Sequence, residues 1–430
     1  MKRPLTLLTL AGLCLGIAAL RHRFVWGGNY ASLLGVAEGS LLIAFAVFGT
    51  FALRGQALDR NQTWKLGLWF TALAFVAPPF LTTDVFDYVL RGRVEAVHGS
   101  NPYLKAPGDF PDDPLLSWCQ WPGYVMPYGP ISAVLQAAIA KVGGGIWVGV
   151  YLWKLAMAAC HLGMARLLER VRPGDPAWLR LWLWNPFLAL ELANGAHNDG
   201  LMALFLALMV ERLAKGGMAM ATFAFGCAVL SKHGCVVLGP LLLALAWRQH
   251  RLPAFGAGVV ASALLCASFA WHYFLTPGAL EFLAKQLGNK GTSLQAFAVR
   301  ILGEEQSGTL VKVGYLVVGL VLGRALVRVR SAANLAREGT VLVLVFLLVA
   351  MPLFSPWYHL WWLPLAALLS SGGAKALSVL AWAGPCSYAV FATTRSFAQD
   401  HQVLQWSLAL ALPMAVVAAE LRPRQQPEVD

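Results

Sequence analysis

The chain has 430 residues, of which 58% are apolar and only 13% are charged, whereas soluble domains are about half apolar and a quarter charged. This composition excludes a disordered chain and a basic nucleic-acid-binding protein, and seven cysteines spread over 430 residues exclude a disulfide scaffold. The net charge of +12 is not clustered, so it indicates topological signals in a membrane rather than one anionic partner.

Apolar stretches long enough to cross about 30 Å of hydrocarbon recur along the whole chain. Only helices or closed barrels satisfy every backbone amide in lipid, and these stretches lack the alternation of a barrel. The sequence therefore predicts an all-α polytopic integral membrane protein, with one transmembrane domain over 1–430 and about 13–14 transmembrane helices. The predicted spans are 5–20, 30–53, 64–81, 146–168, 178–193, 199–213, 217–231, 234–247, 253–275, 307–327, 339–354, 357–371, 374–391 and 402–420.

The first span, 5–20, is predicted to be a signal-anchor, because Arg21, His22 and Arg23 follow it directly and more spans come after. Lys and Arg concentrate in the connections that are cytoplasmic when both termini are inside. The predicted location is therefore the cytoplasmic (inner) membrane, crossed many times, with the bilayer as the first partner of the chain.

This charge bias requires that the apolar stretch 129–143 does not cross the membrane. Pro130 at its start and glycines at 143–145 at its end suit a helix that lies at the outer interface or dips into it. The outer side then has two long connections, an outer catalytic loop at 82–145 with juxtamembrane helices and a second outer loop at 276–306. The working face of the protein is predicted to be outside.

The first candidate group of site residues lies where span 64–81 ends. If a helix starts at residue 84, its turns place on one face the side chains of Asp84, Asp87, Tyr88 and Arg91. A carboxylate at a boundary between water and lipid can have a raised pKa and act as a general base. Two alternatives remain open, an N-cap role for Asp84 and a plain i, i+4 ion pair between Asp87 and Arg91.

A second candidate group lies between spans 178–193 and 199–213. After Asn185-Pro186 it comprises Glu191, Asn194, Gly195, His197, Asn198 and Asp199. Helix capping would explain Asn198 or Asp199. It would not explain His197 together with Glu191, and an ionisable group inside an apolar run indicates function.

Two further outer clusters contain cations and rings. Lys232 and His233 follow span 217–231, where a lysine could hold a phosphate anion or could simply snorkel to the interface. Tyr358 and His359 lie in a Trp-rich segment that could line a site or form an aromatic belt. Carboxylates near His197 leave a divalent metal open, but no paired ligand spacing selects one, and the sequence has no phosphate-binding glycine loop for a nucleotide.

These motifs resemble a known family. Asp84-Val85-Phe86-Asp87-Tyr88, then Gly99-Ser100-Asn101-Pro102-Tyr103, resembles the first outer loop of bacterial GT-C glycosyltransferases that use polyprenyl-phosphate sugars, most of all the polyprenol-phosphate-mannose-dependent α-mannosyltransferases. Tyr128-Gly129-Pro130 and the His197-Asn198-Asp199 turn are similar to later motifs of that family. The similarity covers about 64–240.

The resemblance implies a hexosyltransferase that moves a sugar, mannose by analogy, from a polyprenyl phosphate to a glycan or glycolipid acceptor by inverting transfer. It implies that Asp84 deprotonates the acceptor, with Asp87 as a second catalytic carboxylate, and that Lys232 holds the lipid-linked phosphate. The substrate-binding residues are then predicted to be Tyr88, Arg91, Asn101, Tyr103, Tyr128, Glu191, His197, Asn198, Asp199, Lys232, His233, Tyr358 and His359. The alternatives are a transporter or flippase, or a polymerase, of lipid-linked polysaccharide.

Overall fold

The computed structural model describes residues 58–79, 82–275, 298, 302–351 and 355–369. The spans predicted at 5–20, 30–53, 374–391 and 402–420, and most of the loop 276–306, lie outside these residues. The described residues form an all-α polytopic membrane protein. Its helices, numbered from the first one described, are α1 Arg60–Val76, α2 Asp84–Ala96, α3 Pro130–Lys141, α4 Ile146–Val171, α5 Pro176–Leu183, α6 Asp199–Ala214, α7 Met218–Ser231, α8 Gly239–Arg248, α9 Leu252–Phe274, α10 Ser307–Arg328 and α11 Ala332–Val349.

Short helical segments join or extend these helices. A single turn at Pro186–Leu188 continues into a π-helix, and the remaining segments are 3₁₀ helices at Pro107–Asp109, Leu116–Trp118, His233–Leu238, Glu304–Gln306, Pro356–Trp361 and Leu363–Leu368. The π-helix is Ala189–Asn194. Four of the described helices, α4, α9, α10 and α11, are long and apolar enough to cross a membrane.

Three predicted spans differ from continuous α-helices. The span predicted at 234–247 begins as the 3₁₀ helix His233–Leu238 and continues as α8. The span predicted at 178–193 is interrupted at Asn185, whose side-chain Oδ1 accepts a hydrogen bond from Phe187 N at 3.1 Å before Pro186, which has no N–H to continue the helix. The described part of the span predicted at 357–371, which ends at residue 369, consists mainly of 3₁₀ segments. Apolar content predicted a span at each of these places, but it does not distinguish helix types.

The stretch 129–143 forms helix α3, which has only 12 residues and is about 18 Å long. That length is too short to cross about 30 Å of hydrocarbon, but α7 and α8 in two of the predicted spans are similarly short, so the non-crossing placement of this stretch stays a prediction. Helix α3 packs against α2 at Gly92, where a Cβ atom would lie 2.2 Å from the backbone oxygen of Gln136. The absence of a side chain at Gly92 therefore fixes how α2 is oriented against α3.

Two ion pairs between helices lie at the end of the helices that is opposite Asp199. Arg60 at the start of α1 donates to Glu169 near the end of α4 at 3.1 Å. Arg324 at the end of α10 pairs with Glu338 on α11 at 2.7 Å. Helix α6 begins with Asp199 and runs for 16 residues to Ala214. Its last turn is also charged, because Arg212 and Lys215 pair with Glu211 there. Asp199 lies at the opposite end of the helix, about 24 Å away.

Candidate active site

Helix α2 presents Asp84 in its first turn. The N-cap residue is Thr83, which makes no side-chain cap hydrogen bond, and Asp84 N donates to Thr82 Oγ1 at 3.1 Å. The carboxylate of Asp84 is therefore not used as a cap. Its side chain keeps 23% exposure and lies 3.8 Å from His197 Nδ1.

His197 lies between two acidic side chains. Its Nε2 is 3.1 Å from Glu191 Oε2, and both of these side chains are fully buried. The Tyr88 hydroxyl is 3.4 Å from His197 Nδ1, and the ring of Trp357 stacks on the imidazole with centroids 3.9 Å apart. The imidazole therefore has a fixed orientation, with one nitrogen toward Glu191 and the other toward Asp84 and Tyr88.

The turn that carries His197 has an unusual backbone. Ala196 has φ +53°, a left-handed conformation that non-glycine residues rarely adopt. Its carbonyl oxygen accepts a hydrogen bond from Trp153 Nε1 at 2.8 Å, and His197 N donates to Glu191 O at 2.8 Å. Strained backbone of this kind concentrates at functional sites, where surrounding contacts hold it.

Lys232 and Asp199 form a buried ion pair next to this histidine cluster. Lys232 Nζ donates to both carboxylate oxygens of Asp199, at 2.9 and 2.8 Å. Three rings surround the ammonium group, with centroids between 4.8 and 5.5 Å away, and they belong to Tyr128, Tyr358 and Trp361. The Trp361 indole also donates to Asp199, so the pair is both neutralised and enclosed.

Tyr128 connects the two clusters. Its ring packs against that of Tyr88 at 5.5 Å, and the guanidinium of Arg91 lies 6.0 Å from its centroid. Gly129 N donates to Ser231 O at 3.0 Å, which holds Tyr128 beside Lys232. Burial raises the pKa of Tyr88 and of Tyr128, so both phenols are neutral hydrogen-bonding groups.

Asp87 points to a different neighbour from Asp84. Its Oδ1 accepts from Trp121 N at 2.9 Å and from Cys119 Sγ at 3.0 Å. The residue is fully buried, and burial raises its pKa in spite of the nearby Arg91 charge. These contacts tie the loop at 119–121 to α2, and no ion pair joins Asp87 to Arg91 among the described residues.

Four further predicted substrate-binding residues are Asn101, Tyr103, His233 and His359. Asn101 donates to Tyr273 O at 2.8 Å and the Tyr103 ring packs against Tyr273 at 5.3 Å, so both hold the loop against α9, while the Tyr103 hydroxyl donates to Tyr128 O at 2.8 Å. His359 packs edge-on against Phe187 and Trp362. The fourth, His233, begins the 3₁₀ helix that follows Lys232.

The geometry therefore brings most of the predicted residues to one end of the helices, with Asp84, Tyr88 and Arg91 on one face of α2.

A profile of the family described as alpha-(1->6)-mannopyranosyltransferase, N-terminal domain, matches residues 7–249. That match covers more than half of the chain and includes Asp84, His197 and Lys232. The chain belongs to this family.

Curated relatives of this family member are actinobacterial. The chain is 27% identical over 344 residues to alpha-(1->6)-mannopyranosyltransferase B of Corynebacterium glutamicum, covering 69% of this chain and 56% of the relative. It is 26% identical over 340 residues to alpha-(1->6)-mannopyranosyltransferase A of Mycobacterium tuberculosis, covering 77% of this chain and 62% of the relative. The chain thus spans about three fifths of their length. No solved structure matches it.

Several residues of the site region in this mannopyranosyltransferase family member were not predicted as site residues. Trp357 stacks on His197 and Trp361 donates to Asp199, whereas the sequence left open whether this Trp-rich segment lines a site or forms an aromatic belt. Lys154 in α4 donates to Ala77 O at the end of α1. A lysine in the interior of an apolar span was a usable signal for Lys154.

Asn194 binds the same end of α1 as Lys154. Its side-chain Nδ2 lies 3.2, 3.0 and 2.9 Å from the carbonyl oxygens of Ala74, Ala77 and Pro78. The carbonyls at the end of a helix have no partner within the helix, so Asn194 and Lys154 supply it where the chain turns toward Asp84.

A divalent metal was left open by the sequence. Within the ranges that the structure describes, no group of three His, Cys, Asp or Glu side chains is arranged to hold a metal ion. Both carboxylate oxygens of Asp199 already accept hydrogen bonds from Lys232. The residues present therefore do not fit a metal, and no reaction step is assigned to one.

Proposed function

We propose that the protein is an α-(1→6)-mannosyltransferase that takes mannose from a polyprenyl phosphate and transfers it to a glycan or glycolipid acceptor. The observation that carries this proposal is the placement of Asp84 beside His197 at the end of the helices. The carboxylate of Asp84 does not cap helix α2 and is partly exposed. The names of the relatives supply the sugar and the linkage.

Asp84 would act as the general base. The acceptor hydroxyl gives its proton to the carboxylate of Asp84 while its oxygen bonds to C1 of the mannose. The bond from C1 to the phosphate oxygen breaks, and the electron pair leaves with the polyprenyl phosphate. One base in line with the departing phosphate is sufficient for an inverting transfer.

His197 and Glu191 would orient Asp84 and the proton that Asp84 receives from the acceptor hydroxyl. Glu191 holds one ring nitrogen at 3.1 Å, and the other nitrogen faces Asp84 at 3.8 Å. A histidine held by a second carboxylate has a defined orientation, which is the arrangement that supports proton transfer in many enzymes. Asp87, enclosed against the loop at 119–121, would position that loop rather than react.

Polar and aromatic groups near the site suit a sugar. The side-chain amide atoms of Asn198, Oδ1 and Nδ2, are buried and have no hydrogen-bond partner in the described part of the chain, so they are available for sugar hydroxyls. Trp121 and Tyr124 are 47% and 50% exposed and pack edge-on at 5.8 Å. Exposed rings of this kind can stack on an acceptor glycan.

The side of the membrane follows from the two ends of the helices. Basic residues such as Arg60 and Arg324 gather at the end opposite Asp199, and basic connections face the cytoplasm in membrane proteins. We therefore place the site on the outer face of the cytoplasmic membrane. A lipid-linked donor fits this side, because its tail lies in the bilayer and it needs no nucleotide-binding fold.

The test uses purified full-length protein in nanodiscs with an α-mannoside acceptor. We expect transfer from polyprenyl-phosphate-mannose and none from GDP-mannose, with an α-(1→6) linkage in the product by NMR. Transfer from GDP-mannose alone would contradict the lipid-linked donor. Movement of the lipid-linked sugar across the bilayer without transfer would instead favour the flippase alternative.

A further inference from the structure

The ammonium group of Lys232 is already bound within the protein. Two of its three N–H donors face the carboxylate of Asp199, at 2.9 and 2.8 Å. Lys232 is 9% exposed and Asp199 is 1% exposed. A phosphate group could reach this charge only by displacing a buried carboxylate, so Lys232 is a poor receptor for an anion.

Arg91 has the opposite properties. The residue is only 5% exposed, and its Nε has no hydrogen-bond partner. None of the ion pairs found within the described ranges includes it, and its recorded contact is with the face of the Tyr128 ring at 6.0 Å. The nearest acid along α2 is Asp87, whose Oδ1 is used by Cys119 and Trp121.

A buried guanidinium without a partner is unfavourable for folding. Removing a charge from water costs free energy that only a counter-charge or hydrogen bonds offset, and buried polar groups in proteins normally have such partners. The Arg91 charge is balanced in part by its attraction to the buried Asp87, but Arg91 belongs to no ion pair among the described residues and its Nε has no hydrogen-bond partner. The side chain therefore keeps donor capacity for an anionic ligand.

We infer that Arg91, rather than Lys232, receives the phosphate group of the lipid-linked donor, an inference that rests on the proposed function. Asp84, Tyr88 and Arg91 lie on one face of α2 at positions i, i+4 and i+7. Asp84 and Arg91 are thus about 10 Å apart along the helix axis, with Tyr88 between them on the same face. Gly92, pressed against the backbone of Gln136, holds this face in position.

The chemistry favours a guanidinium at this place. The donor phosphate is a diester with one negative charge, and it becomes a monoester dianion when the bond to C1 breaks. A guanidinium can donate two parallel hydrogen bonds to phosphate oxygens, and its attraction grows as negative charge develops on the leaving group.

The experiment measures binding of farnesyl phosphate, farnesol and inorganic phosphate to full-length protein in nanodiscs by tryptophan fluorescence. The variants are Arg91→Gln, Arg91→Lys and Lys232→Gln. The matched control is Arg93→Gln, which removes a guanidinium from the same helix that is already paired with Asp113 at 2.9 Å. Apparent Tm is recorded for each variant.

We expect Arg91→Gln to lose at least about tenfold in affinity for farnesyl phosphate, with farnesol binding and Tm unchanged or Tm raised. Arg91→Lys should retain part of the affinity, Arg93→Gln all of it, and inorganic phosphate should not compete at equal concentration.

Other outcomes overturn the inference in distinct ways. If the wild type prefers farnesyl phosphate over farnesol and Arg91→Gln keeps that preference, Arg91 is not the receptor, although the proposed donor class stands. If the loss occurs in Lys232→Gln instead, the phosphate binds at Lys232. A wild type that binds both lipids equally contradicts the proposed function as well, and equal competition by inorganic phosphate contradicts a lipid-linked ligand.

Discussion

Lys232 and Asp199, 33 residues apart in the chain, form a bidentate ion pair with both distances below 3.0 Å. The pair joins the end of α7 to the start of α6 and is surrounded by the rings of Tyr128, Tyr358 and Trp361. Its burial means that each partner is needed to neutralise the other. The pair is therefore a structural element of the site as well as a neighbour of the reacting groups.

The first prediction concerns this pair. Lys232→Met and Asp199→Asn should each destabilise the protein, by about 3–5 kcal/mol, because a buried charge is left without its partner. The double variant should lose about 1–3 kcal/mol less than the sum of the single variants. Unfolding in mixed SDS micelles measures the three free energies.

The control for this cycle is the exposed pair of Arg166 and Glu169, at 2.7 Å with Arg166 50% exposed. Neutralising Arg166 should change the free energy of unfolding by less than about 1 kcal/mol. Strict additivity of Lys232→Met and Asp199→Asn would contradict the ion pair.

The second prediction concerns Asn194, which we expect to position Asp84 through the end of α1. Asn194→Leu removes three carbonyl contacts and should lower kcat about 10- to 100-fold with little change in KM, because a shift of about 1 Å at a reacting group has an effect of this size. Lys154→Met should act in the same direction. Steady-state kinetics on folded protein, quantified by gel filtration, measure both constants.

Asn61→Leu is the matched control, because Asn61 is exposed in the first turn of α1. It should leave both constants unchanged. A loss of activity in Asn194→Leu that merely follows the amount of folded protein would contradict a positioning role.

The sequence predicted which polar side chains lie close together, but it did not predict the helix type of Pro356–Trp361, and the two results have separate physical reasons. Asp84, His197, Asp199 and Lys232 could be grouped from the sequence because each is a polar residue at the same end of an apolar run, and helix length then brings the ends together. The 3₁₀ form of Pro356–Trp361 could not be predicted, because apolar content is the same for both helix types.

The sequence also could not predict which residues that are distant in the chain form pairs. Nothing in the local pattern around Lys232 indicates that Asp199 already binds its charge, or that Arg91 has no such partner. Asn194 was read as part of a turn, because its three carbonyl contacts belong to a helix that lies more than 100 residues earlier in the chain. Function at these positions depends on tertiary contacts.

The third prediction separates the two acids of α2. Asp87→Asn should retain the rate of transfer within about tenfold, because an amide oxygen can still accept from Trp121 N. Loss of a catalytic base would instead lower the rate about 10²–10⁴-fold.

Burial raises the pKa of Asp87 in the folded protein, so its ionisation opposes folding increasingly as pH rises above about 4. The Tm of Asp87→Asn relative to wild type should therefore be higher at pH 7 than at pH 4, and a fall over this range would contradict the buried carboxylate.

The fourth prediction concerns the acid dependence of the outer loop. Burial opposes ionisation of Asp113, but hydrogen bonds from Arg93, Leu115 N and His98 outweigh it and lower the pKa of this carboxyl. The stabilisation is therefore fully present above about pH 4 and is lost as pH falls through the lowered pKa. The Tm difference between wild type and Asp113→Asn should shrink as pH falls from 4 to 2; a constant difference over this range would rule out this contribution.

The most direct test of the account is the initial rate of mannosyl transfer from polyprenyl-phosphate-mannose by Asp84→Asn. Asp112→Asn, an exposed acid of the same outer loop, is the matched control. We expect the rate of Asp84→Asn to fall by at least about 10²-fold with an unchanged Tm, while Asp112→Asn retains the wild-type rate. A wild-type rate in Asp84→Asn would contradict the assignment of Asp84 as the general base.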